Sequence, residues 1–379
     1  MAREKGDVKR SLAIVIPMLI GVGVGLLCSV LAIRVLPADS GDQAYFFTLA
    51  LLMAFLVLAM WLHTILHEAG HLLFGLLTGY RFCSFRIGRL MITKQDGKLR
   101  VSNMTIAGTG GQCLLTPPEM KDGKTPFMLY NLGGVLVNVI TAALALLIYA
   151  AMGMSDVWSL FPVMFAIVGF ATGLMNGIPL MGGPVYNDGA NTVAMMREPT
   201  AVDALRKQLL INERVTAGVR LKDMPEEWFT LTGTVKEKNP LTSAIDVFRA
   251  SRLLDAHDLE AAQKAGQRLL DESSGLAGLH KAMVAVDAAY LALVVNGNAE
   301  RAEELLDKPT KKVMKAMATN PSVIRTEYAV AVLAAHDEKA ATAALERFEK
   351  AAKQHPYACE IESERELLAI VDEKAGKSA

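Results

Sequence analysis

The residues in this chain best suited to chemistry are His67-Glu68-Ala69-Gly70-His71. On a helix, positions i and i+4 share a face, so two imidazoles can be presented to one ion. The intervening Glu68 is placed to act on a water held by that ion. This is the HExxH arrangement, in which the histidines bind zinc and the glutamate serves as general base. The surroundings sharpen the reading. Within the long apolar runs of the first half, Glu68 is the only acidic side chain, and His63, His67 and His71 are the only histidines. Ionisable groups at membrane depth are costly and mark function. His63 lies on the same face, two turns from His71, and is expected to contact a neighbouring helix or support a ligand.

A catalytic zinc takes a third protein ligand and keeps one position open for water. A metzincin continuation would need Gly at 74 and His at 77; Phe74 and Leu77 stand there. The downstream acidic candidates are Asp96, Glu119, Asp122, Asp156 and Asp188. Asp96, Glu119 and Asp122 sit in a polar, lysine-containing stretch, and Asp156 falls on the far side in the topology described below. Asp188 follows Asn176-Gly-Ile-Pro-Leu-Met-Gly-Gly-Pro-Val-Tyr-Asn. That run must unwind a helix, and broken backbone at membrane depth lines a protected cavity. Asp188 is the expected third ligand of a single Zn2+.

These residues need elements to carry them. Four apolar segments are long enough to cross a bilayer, at about 11–35, 44–78, 127–152 and 157–178. The N-terminal basic residues precede a run too long for a signal peptide and without a cleavage site, so an uncleaved helix is expected. Arg81, Arg86, Arg89, Lys94, Lys98, Arg100, Lys121 and Lys124 cluster between the second and third segments. With the charged C-terminal half, they put both termini and the insert on the cytoplasmic side. The insert, 79–126, reads as strands around an Asp96-Gly97 hairpin turn, followed by a glycine-rich stretch.

From about 197 the chain is charged, Ala-rich and helical, in pairs at 241–256/259–273, 276–295/299–306 and 323–335/339–353. The pairs resemble degenerate tetratricopeptide-like repeats, suited to a protein partner, with a plain bundle as the alternative. The expected fold class is a mainly α, polytopic membrane protein of about four transmembrane helices with a small β-rich insert, then a soluble all-α domain. The expected domains are 1–196 (membrane-embedded) and 197–379 (helical, repeat-like). Four scattered cysteines form no disulfide or zinc pattern, and zero formal net charge gives no reason to expect nucleic acid.

His67-Glu68-x-x-His71 in an early span, with a late Asn176-x-x-Pro179 and Asp188-Gly189, resembles the site-2 protease family of intramembrane zinc metalloproteases. Asn131-Leu-Gly-Gly-Val-Leu-Val-Asn138 is similar to that family's glycine-rich stretch followed by asparagine. The resemblance covers roughly residues 45–195. It implies His67, His71 and Asp188 as metal ligands and Glu68 as base. Here Leu180 to Asn187 separate the Pro from the Asp, a longer spacing than the family's.

The expected activity is zinc-dependent endoproteolysis of a transmembrane or membrane-anchored protein or peptide, in a multi-pass protein of a bacterial cell membrane. Asn138 is a candidate for orienting the substrate or stabilising an oxyanion, with an amide bonding between helices as the alternative. Gly108, Gly110 and Gly111 are candidate substrate-positioning residues, in an edge strand near 107–115 that could pair with unwound substrate; a glycine-rich connector is the alternative. The second functional reading is a non-proteolytic, zinc-containing scaffold that recruits partners through its C-terminal helices. A zinc transporter is disfavoured, because few other polar groups line a path.

Overall fold

The computed structural model describes residues 14–27, 29–30, 41–120, 124–152, 157–180, 186–236, 238–271, 275–276 and 278–376. Asp122, Asp156 and parts of the expected first span (11–13, 28 and 31–35) lie outside the described residues. The chain divides into two compact units, Met1–Tyr80 with Pro126–Val193, and Arg81–Thr125 with Ala194–Ala379.

The first unit is helical: α1 (Ile14–Leu27), α2 (Asp42–Leu77), α3 (Met128–Met152), α4 (Leu160–Gly177) and the first turns of α5 (Asp188–Arg197). Helices α2, α3 and α4 pack on one another. Small residues set their closeness. A Cβ on Gly133 would lie 2.5 Å from the Gly70 carbonyl oxygen, so only paired glycines permit this crossing. The outward faces carry exposed Phe46, Val57, Trp61, Leu147 and Ile148. Apolar surface on that scale marks contact with something other than water. Thr64, Thr141 and Thr172 return their hydroxyls to carbonyls four residues back, at 2.7–2.9 Å, which satisfies them without solvent.

Among the described residues, four helices are long and apolar enough to cross a membrane: α2, α3, α4 and a helix of the second unit, α9 (Gly278–Asn296). The first three correspond to the expected spans at 44–78, 127–152 and 157–178. Within the expected first span, the described residues 14–27 and 29–30 are helical. The length and apolarity of α9 went unremarked in the sequence, and packing accounts for them. Two-thirds (67%) of its most apolar window is buried in protein, against 22% for α2 and 17% for α3. A helix surrounded by others must be apolar on every side.

The second unit holds a four-stranded antiparallel sheet of order β3-β2-β1-β4, with β1 (Arg81–Ile87), β2 (Leu90–Gln95), β3 (Lys98–Asn103) and β4 (Gly111–Thr116). Asp96 (φ 51°) and Gly97 (φ 77°) make the expected two-residue turn of the β2–β3 hairpin. The buried Arg86 donates to the carbonyls of Gly88 and Gly111 and to Thr109, and so shapes the loop that leads into β4. Helix α6 (Pro199–Thr216) covers β1, β2 and β4, and Met91 shares a core with Ile211, Val215, Phe229 and Cys359. The insert therefore packs with the C-terminal helices, since β2 buries its apolar face against α6, a contact distant in sequence.

The remaining helices are α7 (Pro240–Asp255), α8 (Leu259–Leu270), α9, α10 (Ala299–Leu305), α11 (Lys308–Ala316), α12 (Pro321–Ala329, followed by a π-turn at Val330–Ala334), α13 (Glu338–Ala352) and α14 (Ala358–Lys374). The expected pair boundaries fall within a few residues of these. One turn recurs three times. A left-handed residue (His257, Gly297 or His336) is followed by a capping Asp258, Asn298 or Asp337, whose side chain accepts from the next helix's first turn. Helix α9 packs against α8, α10, α11, α12 and α14 and is the hub of this unit. Arg325 on α12 is fully buried over the Tyr290 ring and is paired with Asp287 and Glu364, which a buried guanidinium requires.

Arg220 joins three parts of this unit, bonding Asp255 at the end of α7 and both carboxylate oxygens of Glu366 on α14. Its hydrogen bonds hold the Glu366 carboxyl well below the usual range, at about 2. A depressed carboxyl contributes stability above its unfolded pKa and loses it as pH falls through the folded one. Protection of α14 amides from hydrogen exchange, corrected for the intrinsic rate, should therefore drop between pH 4.5 and about 2. Glu366→Gln should flatten this dependence, and an unchanged profile in that variant would refute the linkage.

Candidate metal centre

The site forms where α2, α3 and the start of α5 meet. His67 and His71 project from one face of α2, and Asp188 is the first residue of α5. His67 Nε2 and His71 Nε2 lie 3.2 Å apart, and Asp188 Oδ2 is 3.1 Å from the first and 3.5 Å from the second. A tetrahedral ion bound at 2.0–2.1 Å, as zinc is, holds its donors about 3.3 Å apart. The observed triangle has that size. Among the described residues, this trio is the group of histidine, cysteine and acidic side chains able to hold a metal ion.

Proton placement supports the same reading. His71 Nδ1 lies 2.8 Å from the Tyr130 carbonyl oxygen, which can only accept. The His71 proton is therefore on Nδ1, and Nε2 presents a lone pair. Asp188 Oδ2 is buried and, among the described residues, has no hydrogen-bond partner beyond the two imidazoles. Electron-pair donors this close repel unless a cation lies between them, and a single proton can join only two of the three. The donor set fits a metal.

The backbone around the trio is arranged to deliver it. A Cβ on Gly134 would meet the His67 ring at 2.6 Å, so this glycine makes room for the imidazole. A Cβ on Gly189 would collide with the Gly177 carbonyl, so glycine lets α5 start against the end of α4. Asn187 caps α5 by accepting from Ala190 N at 3.0 Å, and its amide donates to the carbonyls of Met175 and Ile178, both at 2.6 Å. Asn131 Nδ2 donates to the Asp188 carbonyl and to Thr192 Oγ1, both at 2.7 Å, which ties α5 to the first turns of α3. Asp188 is thus fixed from two sides through its backbone.

Glu68 lies beside the pair on α2 and is buried. His63 and Asn138 are fully buried and adjoin each other, with His63 also against Phe165 of α4. His63 thus has the helix-contact position expected of it. The amide of Asn138 bonds between helices, reaching His63 and His67 on α2. Gly111 is the first residue of β4, and Gly110 accepts from Gly88 N at 2.8 Å. Gly108 takes a positive φ of 82°. These three glycines belong to the second unit and are not part of the His67-His71-Asp188 group. Asn187 and the Tyr130 carbonyl escaped the sequence reading. The capping position of Asn187 before Asp188-Gly189 was a usable signal; a backbone carbonyl leaves none. No known protein family, curated protein or solved structure matched the chain.

Replacing Asp188 by Asn leaves its size and backbone contacts in place but removes the anionic donor. Zinc affinity of the purified protein, measured by chelator competition, should fall by more than about 100-fold, beyond the range typical of residues that only support ligands. Wild-type affinity in Asp188→Asn would exclude it from the ligand set.

Proposed function

We propose that this chain is a zinc-dependent endopeptidase whose active centre lies within the bilayer, and that it cleaves a transmembrane or membrane-anchored protein or peptide. The observation that carries the reading is the triangle of donors formed by His67 and His71 on the apolar helix α2 and Asp188 at the start of α5, with Glu68 beside it. Zinc held there would lower the pKa of a water molecule and polarise a carbonyl. His67 and His71 provide neutral nitrogen donors, and Asp188 an anionic oxygen. Glu68, one residue from His67, takes the proton of the attacking water and passes it to the leaving amine. The resemblance to the site-2 protease family supports the same assignment. The basic stretch 81–124 favours a cytoplasmic side for both termini and for the metal centre.

Substrate helices hide their peptide bonds, so cleavage requires an extended segment. Among the described residues, strand β4 is the last of its sheet, bonded to β1 on one side, which supports a role in pairing with unwound substrate. Prolines introduced singly from Thr109 to Leu114 remove a backbone donor each. They should reduce cleavage at alternate positions while zinc content stays at the wild-type level; uniform cleavage throughout would remove β4 from the mechanism. The recurrent capped turn between helices supports a tetratricopeptide-like, partner-recruiting role for the C-terminal helices.

Glu68→Gln tests the central claim. The variant should retain its zinc and lose cleavage of membrane-anchored substrates by about 100- to 10,000-fold, the usual worth of a general base. Membrane proteins that accumulate in cells carrying this variant would name the substrate. A variant indistinguishable from wild type in cleavage and phenotype would favour a non-proteolytic scaffold.

A further inference from the structure

A chain of polar contacts runs from α4 to the metal centre, and its proton inventory can be worked out in full. His63 Nε2 lies 2.8 Å from the Phe165 carbonyl oxygen. His63 Nδ1 lies 3.3 Å from Asn138 Oδ1, and Asn138 Nδ2 lies 3.3 Å from His67 Nδ1. His63 and Asn138 are wholly buried. The Phe165 carbonyl can only accept, which puts a proton on His63 Nε2. A neutral imidazole has one N–H, so His63 Nδ1 must accept. The group facing it must then be the amide nitrogen of Asn138. The amide oxygen accordingly faces His67 Nδ1 and accepts its proton. His67 Nε2 is left with a lone pair directed at Asp188 and His71, the form that binds a metal.

The opposite orientation of the amide, which the structure displays, has a different inventory. Nδ2 then donates to His67 Nδ1, and the proton of a neutral His67 moves to Nε2. His63 must donate from both nitrogens, which makes it an imidazolium inside an apolar helix, a costly state. The two spans are equal, so a half-turn about χ2 of Asn138 exchanges the ends in place. We propose that His63 is a positioning residue: by accepting from Asn138 Nδ2 it turns the amide oxygen toward His67 and thereby selects the metal-binding tautomer of His67. This rests on the zinc reading above and adds to it a role for His63 and Asn138. Gly169, where any side chain would strike the His63 ring, and the Phe165 ring at 4.1 Å hold the His63 imidazole in place.

The test is an epistasis experiment on zinc affinity, with the full-length protein in detergent and zinc itself as the probe. His63→Phe frees the amide to face either way, and Asn138→Leu removes it; each should weaken zinc binding by about 10-fold or more, as loss of such support does elsewhere. Asn138→Asp presents an acceptor whichever way it turns. Adding it to His63→Phe should therefore restore affinity to near the wild-type level. Failure of that rescue, or wild-type affinity in His63→Phe, would overturn the proposal and leave His63 a space-filling contact. Ring 15N spectra of the zinc-loaded wild type supply a check that needs no variant. They should show His67 protonated at Nδ1 and a neutral His63 protonated at Nε2; any other pattern refutes the assignment. A wild-type chain that binds no zinc, or a His67→Ala variant that binds it fully, would instead bring down the underlying metal reading.

Discussion

Side chains at Gly70 and Gly133 would hold the backbones of α2 and α3 apart, and the histidine pair depends on their contact. With the helices touching, the Tyr130 carbonyl reaches His71 and the Gly134 backbone lies against the His67 ring. A slightly wider crossing would leave both imidazoles on α2 and remove what orients them. In lipid there is no hydrophobic gain from bringing two apolar helices together, so small residues and interhelical hydrogen bonds must supply the attraction. The residues that orient the histidines also join the helices. Binding geometry and helix packing are in this sense a single property of the first unit.

Several polar groups of the first unit are answered within it. Threonine hydroxyls return to their own helices, Asn131 and Asn187 hold the start of α5, and His63 and Asn138 bond to each other. The second unit, by contrast, tolerates a fully buried guanidinium because two carboxylates and an aromatic face surround it.

The histidine pair was legible from the sequence because helical periodicity alone places i and i+4 together and an apolar context makes ionisable groups conspicuous. Asp188 was legible by elimination, and the structure brings it to the pair despite the long separation from Pro179. The β2–β3 hairpin followed from Asp96-Gly97, whose conformational demands are local. What the sequence did not reveal depends on distant contacts. The packing of Met91 beneath α6 joins residues far apart in sequence, and the central position of α9 has no signature apart from its apolarity. The orienting carbonyl of Tyr130 belongs to the backbone and is invisible to any argument from residue type.

The carboxylate reaches the site on a short helix that begins only after α4 has ended and the chain has turned back. In a protein made from its N-terminus, His67 and His71 are synthesised together, and Asp188 follows more than a hundred residues later. Until Asn187 and Asn131 have secured that helix, the pair of imidazoles lacks the Asp188 carboxylate. Assembly of the centre is thereby ordered in time. The three donors come together only after the first unit has closed on itself.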